Sequence, residues 1–476
     1  MIQFIQLLFN LLASVFEAAI EIVSELAVQV VPPRRKMQYN ADFGKVQTIL
    51  KKGGDGFYVG SWSNSQKEAH NHLIAFGGSG SGKSTSLIFT TLLQSHNSSY
   101  IIHDPSREIF NGTSQALHNA GYAISILDYN NPNVSQGFNA LSFCRSHNDA
   151  YKLANVIMRN ALEGSSYDYW AQSAESAIAL FMKYLITYAD PQYRTIFNVI
   201  HLIRVFSFAP KKIDRLMVAS GDQQLLNQYK SLVATPDKTL QSTLSTALTA
   251  LRIYESPNIA LVTSHNSIDF DDFRRRKHAL YICSAASDAY LYRSITSSLF
   301  ESFCSNVLSK PIGNEGLSIT LLIDEASSMK LPSLPQALAL TRKNAISIAT
   351  LWQDYNQIEH LYSKQEAVNI FANSHLKVFM PSGQPLETCV MLEKLMGKYS
   401  FIDIEGVNRT RELLTAQEIH ELDKLLVLSG NKPPLLLEPS PYYENKQLRS
   451  LALLPPYELE EQLSFYNPPL IEFKAE

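Results

Sequence analysis

Gly77-Gly78-Ser79-Gly80-Ser81-Gly82-Lys83-Ser84 is the stretch that decides the fold. Its spacing, GxxxxGK[ST], is that of a phosphate-binding loop, and its context suits that reading. His72-Leu73-Ile74-Ala75-Phe76 before it reads as a buried strand. Ser84 to Gln94 after it reads as a helix with Leu87, Ile88, Thr91 and Leu92 on one face. Glycines let backbone N–H groups turn inward around phosphates without Cβ clashes. The new helix points its positive end at the same anion. Lys83 can reach the β- and γ-phosphates, and the Ser84 hydroxyl can hold Mg²⁺. The predicted nucleotide-binding set is Gly77, Gly78, Ser79, Gly80, Ser81, Gly82, Lys83, Ser84 and Thr85, with ATP and Mg²⁺ as cofactors.

The second half of such a site reads from Gly316 to Glu325, a hydrophobic strand ending in Asp-Glu. Asp324 can hold Mg²⁺, and Glu325 can orient and deprotonate the attacking water. A third strand, Ile346–Leu351, leads to Gln353, whose amide at a strand end can sense the γ-phosphate. Arg342, between those two strands, is the candidate guanidinium for completing a neighbouring subunit's site in a ring ATPase. Asp104 and Glu108 follow the strand Tyr100–His103, where strand ends line the nucleotide crevice of open α/β sheets. They read equally as the acidic start of a helix.

Composition narrows the rest. The 476 residues are 45% hydrophobic and 18% charged, so two or three cored domains are within reach. A net charge of −3 advertises no polyanion partner globally, so any nucleic-acid contact must come from local loops or an oligomeric channel. Cys144, Cys283, Cys304 and Cys389 have no metal-ligand spacing, which fits a reducing compartment. Residues 1–31 predict one helix with a broad apolar face, and Glu17, Glu21 and Glu25 on its polar side argue against a simple membrane span. It reads as an interfacial, partner-packing or oligomerising helix. Arg34-Arg35-Lys36 after it favours a cytoplasmic face if it meets a membrane. No second hydrophobic span is predicted.

The expected organisation has five parts: an N-terminal hydrophobic helix, 1–36; the first part of an α/β nucleotide-binding domain, 37–145; an all-α domain, 146–262; the second α/β part, 263–446; and a tail, 447–476. The helical part carries Ala174, Ile178, Phe181, Met182 and Leu185 on one face, and Thr195 reads as the cap of Ile196–Phe206. Arg274-Arg275-Arg276-Lys277 reads as a solvated basic loop before the strand Ala279–Cys283, with DNA contact as the alternative. The tail reads as loosely packed or recruiting.

The order of these pieces resembles the type IV secretion coupling proteins, the TraG/TraD-type conjugation ATPases. Four stretches carry the resemblance. The first is the loop Gly77–Ser84 followed by Tyr100-Ile101-Ile102-His103-Asp104-Pro105-Ser106-Arg107-Glu108. The second is Gly137-Phe138-Asn139-Ala140-Leu141, similar to the family's Phe-Asn-Pro-Leu. The third runs from Leu322-Ile323-Asp324-Glu325-Ala326 through Leu331-Pro332-Ser333-Leu334 and Arg342 to Gln353. The last is Leu413 to Ile419, then Lys432-Pro433-Pro434-Leu435-Leu436. The resemblance implies a RecA-like P-loop NTPase core with an inserted all-α domain. It implies a hexamer at the cytoplasmic face of the bacterial inner membrane, delivering a relaxase-bound single-stranded DNA or secreted proteins into a secretion channel. By position it assigns phosphate and Mg²⁺ binding to Lys83 and Ser84, and the metal and water-activating pair to Asp324 and Glu325. Arg342 and Gln353 are further transfers. The chain departs from the family in having one Glu-bearing helix where many members have two membrane spans, and Arg107 where many carry Lys-Gly. Two other readings stay open: a double-stranded DNA translocase of the FtsK/HerA kind, and a nucleotide-gated cargo receptor without motor activity.

Overall fold

A computed structural model describes residues 39–162, 167–310, 316–381, 383–461 and 468–473. The hydrophobic helix expected over residues 1–36 lies outside the described residues. Nine runs rich in Ile, Leu, Val and aromatic residues form one sheet. They are β1 Leu73–Phe76, β2 Ser98–Asp104, β3 Ala123–Asp128, β4 His278–Cys283 and β5 Ser318–Ile323. Then come β6 Ile346–Trp352, β7 Leu376–Phe379, β8 Leu425–Ser429 and β9 Leu435–Leu437. Their spatial order is β9-β8-β7-β1-β6-β5-β2-β4-β3. From β7 to β3 every neighbouring pair is parallel. β8 joins antiparallel to β7 and to β9. β1, β2, β5 and β6 are buried along their whole length, the pattern of strands covered on both faces. The sequence placed the cores of β1 to β6 correctly. It did not predict β7, β8 or β9.

Between β3 and β4 the described regular structure is helical. The main helices are α3 His147–Ala161, α4 Tyr169–Tyr188, α5 Ile196–Phe208, α6 Pro210–Ala219, α7 Gln223–Val233 and α8 Asp237–Leu251. Two earlier helices lie beside the first strands: α1 Phe89–Gln94 and α2 Glu108–Asn119. Side-chain caps fix several starts in the helical segment. Thr195 Oγ1 accepts from Asn198 N at 3.2 Å, and Asp168 Oδ1 from Ala171 N at 3.1 Å. The α4 face read from the sequence, Ala174 to Leu185, is fully buried. After β4, α9 Ala289–Leu308 runs alongside α3 and the sheet.

The described chain divides into two compact units. The larger holds residues 43–395 and 414–473 and carries the sheet and the helices. The smaller joins residues 39–42 to 396–413 and is built on the antiparallel hairpin Lys398–Ile402 with Asn408–Glu412, closed by a Lys398–Glu412 ion pair of 2.8 Å.

Two local expectations are corrected. Arg274 is not in a solvated loop. Its guanidinium donates to Leu317 O at 2.8 Å and to Asn344 O, tying the chain ahead of β4 to the starts of β5 and β6. Arg275 and Arg276 pair locally with Asp269 and Asp272 and stay largely exposed, as a solvated run would. Nor do the described parts of the tail pack loosely. The Tyr457 ring lies 4.5 Å from that of His118, Tyr457 N donates to Ser114 Oγ at 3.0 Å, and buried Asn198 in α5 bonds both Pro469 O and Ile471 N. These are buried polar groups finding partners, which a sequence period does not report.

Candidate active site

β1 feeds the glycine loop at the carboxyl edge of the sheet. Gly77 N donates to Trp352 O at 3.1 Å, locking the loop's start onto the end of β6. A Cβ on Gly77 would stand 2.6 Å from Met380 Cβ, so only glycine fits there. Gly82 has φ +84°, which lets the chain reverse into the helix. That helix opens with a wide π-type turn, Ser84–Ile88, before α1 becomes regular, a departure from the uniform helix expected. Lys83 Nζ curls back on the loop and donates to Gly77 O and, at 3.0 Å, to Gly78 O. Ser81 Oγ is buried in the same loop without a hydrogen-bond partner among the described residues. An inward-turned glycine loop, a lysine held by backbone carbonyls and an orphaned hydroxyl fit a bound polyphosphate.

β5 brings the acidic pair to the same edge, one strand away from β1. Ser84 Oγ donates to Asp324 Oδ2 at 2.8 Å, so the two motif halves meet in one hydrogen bond. Two hard oxygen donors side by side fit Mg²⁺. Burial raises the Asp324 carboxyl to about 6. The Ser84 bond opposes that shift, the Glu325 charge adds to it and Lys83 opposes it. Burial also pushes Lys83 below its ordinary value, against the pull of Asp324 and Glu325. Glu325 is exposed and held at φ +51°, a left-handed backbone uncommon for a side-chain-bearing residue and found at sites where function constrains the chain. Gln353 is half-buried just past β6, between the phosphate-loop strand and the acidic strand.

Buried His103, which the sequence reading missed, donates from Nδ1 to Asp324 O at 2.6 Å and so fixes the peptide that carries the acid. Burial lowers its pKa to about 4, keeping it neutral. Nothing in a single sequence separates such a histidine from an ordinary core residue.

Arg342 stands apart. It is exposed on the turn Thr341–Asn344, which precedes β6 at the opposite edge of the sheet. Seven strand residues at about 3.3 Å each separate the two edges by roughly 23 Å. Arg342 is therefore too far to join the phosphate loop of its own chain.

Asp104 has a structural duty. It is fully buried, and its Oδ2 accepts from Phe110 N at 2.7 Å, anchoring the first turn of α2, while Glu108 stays exposed. Burial raises the Asp104 carboxyl to about 7, against the amides of Phe110 and Ile109 and with the charges of Asp324 and Glu108. The folded state therefore holds this proton up to about pH 7, whereas the unfolded chain releases it near pH 3.8. Stability falls as pH rises across that window. Asp104→Asn is expected to stabilise the fold by an order of 2 kcal/mol at pH 8, with no gain at pH 4. Denaturant unfolding of both proteins at the two pH values checks this. An equal effect at both would contradict it.

Arg107, in the left-handed region at φ +61°, pairs with nearly buried Asp128 at 2.7 Å. Asp128 Oδ1 also accepts from Asn130 N at 2.9 Å and Asn131 N at 3.2 Å, so losing the arginine leaves the carboxylate partly satisfied. Arg107→Ala is expected to cost about 1–2 kcal/mol in chemical unfolding, less than the 3–5 kcal/mol of a wholly abandoned buried charge.

Residues 33–462 match the type IV secretory system conjugative DNA transfer family. The VirD4 protein of Rhizobium rhizogenes is 22% identical over 421 residues, 83% of this chain and 61% of its own length. The conjugal transfer protein TraG of Rhizobium radiobacter is 21% identical over 395 residues, 77% of this chain and 61% of its own length. This chain thus spans about three fifths of the curated relatives it matches. The bacterial conjugative coupling protein TrwBdeltaN70, solved with sulphate, superposes with a TM-score of 0.67 at 19% identity, over 85% of this chain and 93% of that one. A TrwB structure in complex with ADP and Mg²⁺ gives 0.66 at 18% identity, over 85% and 93%. The shared fold is the RecA-like P-loop NTPase core with its helical insertion. This chain belongs to the type IV secretory system conjugative DNA transfer family.

Proposed function

We propose that this chain is an ATP-hydrolysing coupling protein that recruits a relaxase–DNA complex or protein substrates and helps move them into a type IV secretion channel. The observation that carries it is the 2.8 Å bond between Ser84 and Asp324, which unites the phosphate loop and the acidic strand in one metal-ready site. TrwB, of the same fold, binds ADP with Mg²⁺, which supports those ligands here. Lys83 and the amides of the loop from Gly78 to Thr85 hold the phosphates of ATP, with Gly77 setting the loop's entry. Ser84 Oγ and Asp324 supply the metal's protein oxygens. Mg²⁺, when bound, supplies neutralisation of phosphate charge. Glu325 takes the proton of the attacking water, and Gln353 orients that water or reports the γ-phosphate. Arg342, distant from its own loop, serves the site of a neighbouring subunit in a homo-hexamer, the arrangement that gives an exposed guanidinium on that edge a use.

The protein works at the cytoplasmic face of the inner membrane, with secretion-channel components as partners. Among the described residues no helix is long and apolar enough to cross a membrane. A strand-displacement or translocation assay on single-stranded and duplex tracks tests the reading. Movement on, or stimulation by, single strands supports it, whereas duplex-only movement supports an FtsK/HerA-like translocase. Retained cargo recruitment in a chain that never hydrolyses ATP supports the receptor alternative.

A further inference from the structure

The hairpin of the smaller unit, Lys398–Ile402 with Asn408–Glu412, ends in a tip that carries Phe401, Ile402, Ile404 and Val407 at the surface. Ile402 is 75% exposed and Ile404 fully exposed. Scattered apolar side chains are ordinary on a protein surface. Four within residues 401–407 form a contiguous patch, and such patches mark contact sites. Strand alternation puts Phe401 and Ile402 on opposite faces of the hairpin, and Ile404 and Val407 lie in the turn between its strands. A rigid partner surface covers one face of such a wedge, whereas a fluid apolar phase covers every side.

The turn satisfies its own polar groups. Asp403 Oδ1 accepts from Glu405 N at 3.0 Å and from Val407 N at 2.8 Å. Gly406 N donates to Asp403 O at 3.0 Å, and Asp403 N to Val407 O at 3.0 Å. Internal pairing of backbone groups is the condition for entering an apolar phase. The acids have bases beside them: Asp403 pairs with Arg409, Glu405 lies 3.7 Å from Arg409, and Glu412 lies 2.8 Å from Lys398. That pairing limits repulsion by an anionic surface. The chain ahead of the hairpin leads to the same place. Ala41 N donates to Lys398 O at 3.0 Å and Ser400 N to Tyr39 O at 2.8 Å, so the backbone from Ala41 back to Tyr39 runs toward the tip. In the sequence, the apolar stretch 1–31 and then Arg34-Arg35-Lys36 come just before it.

We propose that the hairpin tip, residues 401–407, enters the interfacial layer of an anionic lipid bilayer, as a contact additional to the basic run Arg34-Arg35-Lys36. The proposal rests on the inner-membrane reading above and names a surface that meets the lipid. Apolar insertion and the attraction of basic residues to anionic headgroups are separate weak signals, and two together hold a protein on a membrane. Apolar groups on both faces and at the end of a self-bonded turn suit lipid better than a protein groove.

The test uses the full chain with vesicles of equimolar phosphatidylglycerol and phosphatidylcholine. An Ile404→Trp chain is read against the parent, whose three tryptophans give the background emission. On vesicles the added emission should shift to the blue, and lipid brominated along its acyl chains should quench it. Ile402→Ser with Ile404→Ser should weaken vesicle binding in flotation about 10- to 100-fold, because two apolar side chains leave the interface. Both positions are exposed, so neither change should disturb folding. Unchanged flotation of the serine variant would overturn the proposal. A chain that binds vesicles while the added indole stays unquenched would overturn the tip's role and leave the membrane reading standing. A chain that binds no vesicle would overturn both. A blue shift without lipid would also overturn the proposal, because protein then covers the tip: residues 1–31 if the shift ignores concentration, a second copy if it grows with concentration.

Discussion

Lys83→Ala is expected to lower ATP turnover by about 10³-fold, roughly 4 kcal/mol of transition-state stabilisation. Lys83 is the one cation of the phosphate loop, and its ammonium bonds only to the loop's own carbonyls, Gly77 O and Gly78 O, among the described residues. Among the described residues no salt bridge depends on it, so the variant should unfold at the same temperature as the parent. Its nucleotide affinity should fall too, because a point charge on the phosphates contributes to binding as well as to chemistry. A coupled-enzyme assay beside a fluorescent-nucleotide titration separates the two effects. Turnover within a few-fold of the parent would mean that the chemistry lies elsewhere.

Glu325→Gln should have the other large effect, of a different kind. The substitution keeps shape and removes only the ability to accept the water's proton, so turnover should fall about 10²- to 10⁴-fold while ATP binding persists. The side chain is exposed and makes no hydrogen bond or ion pair among the described residues. Stability should therefore not change. Loss of binding together with turnover would show that Glu325 holds the nucleotide or the backbone, and the proton-accepting role would fail. Asp324 differs: Ser84 donates to it and His103 fixes its peptide, so its replacement should disturb the loop as well as the metal.

The contrast between these carboxylates shows where the sequence was readable. Asp324 and Glu325 end a hydrophobic run, and a short period marks such a strand end without any tertiary knowledge. The glycine loop was legible for the same local reason, since its spacing is the backbone geometry. β7, β8 and β9 escaped because short apolar runs beside helical stretches carry no distinguishing period. Their strand character comes from pairing with β1 and with each other. Asp104 was legible as an acid at a strand end, but its duty as the anchor of α2 depends on a bond to Phe110 N, six residues on. Within the basic run Arg274 to Lys277, Arg275 and Arg276 are exposed as expected and Arg274 departs for a related reason. Charge marks a solvated face on average, yet Arg274 spends its guanidinium on carbonyls of distant segments. Local chemistry was written in local spacing, while polar contacts across the fold were not.

Steady-state ATP hydrolysis by the purified chain, with and without Mg²⁺ and a single-stranded oligonucleotide, tests the central claim most directly. The account predicts Mg²⁺-dependent turnover that the oligonucleotide raises several-fold. Tight nucleotide binding with no turnover in any of these conditions would contradict it.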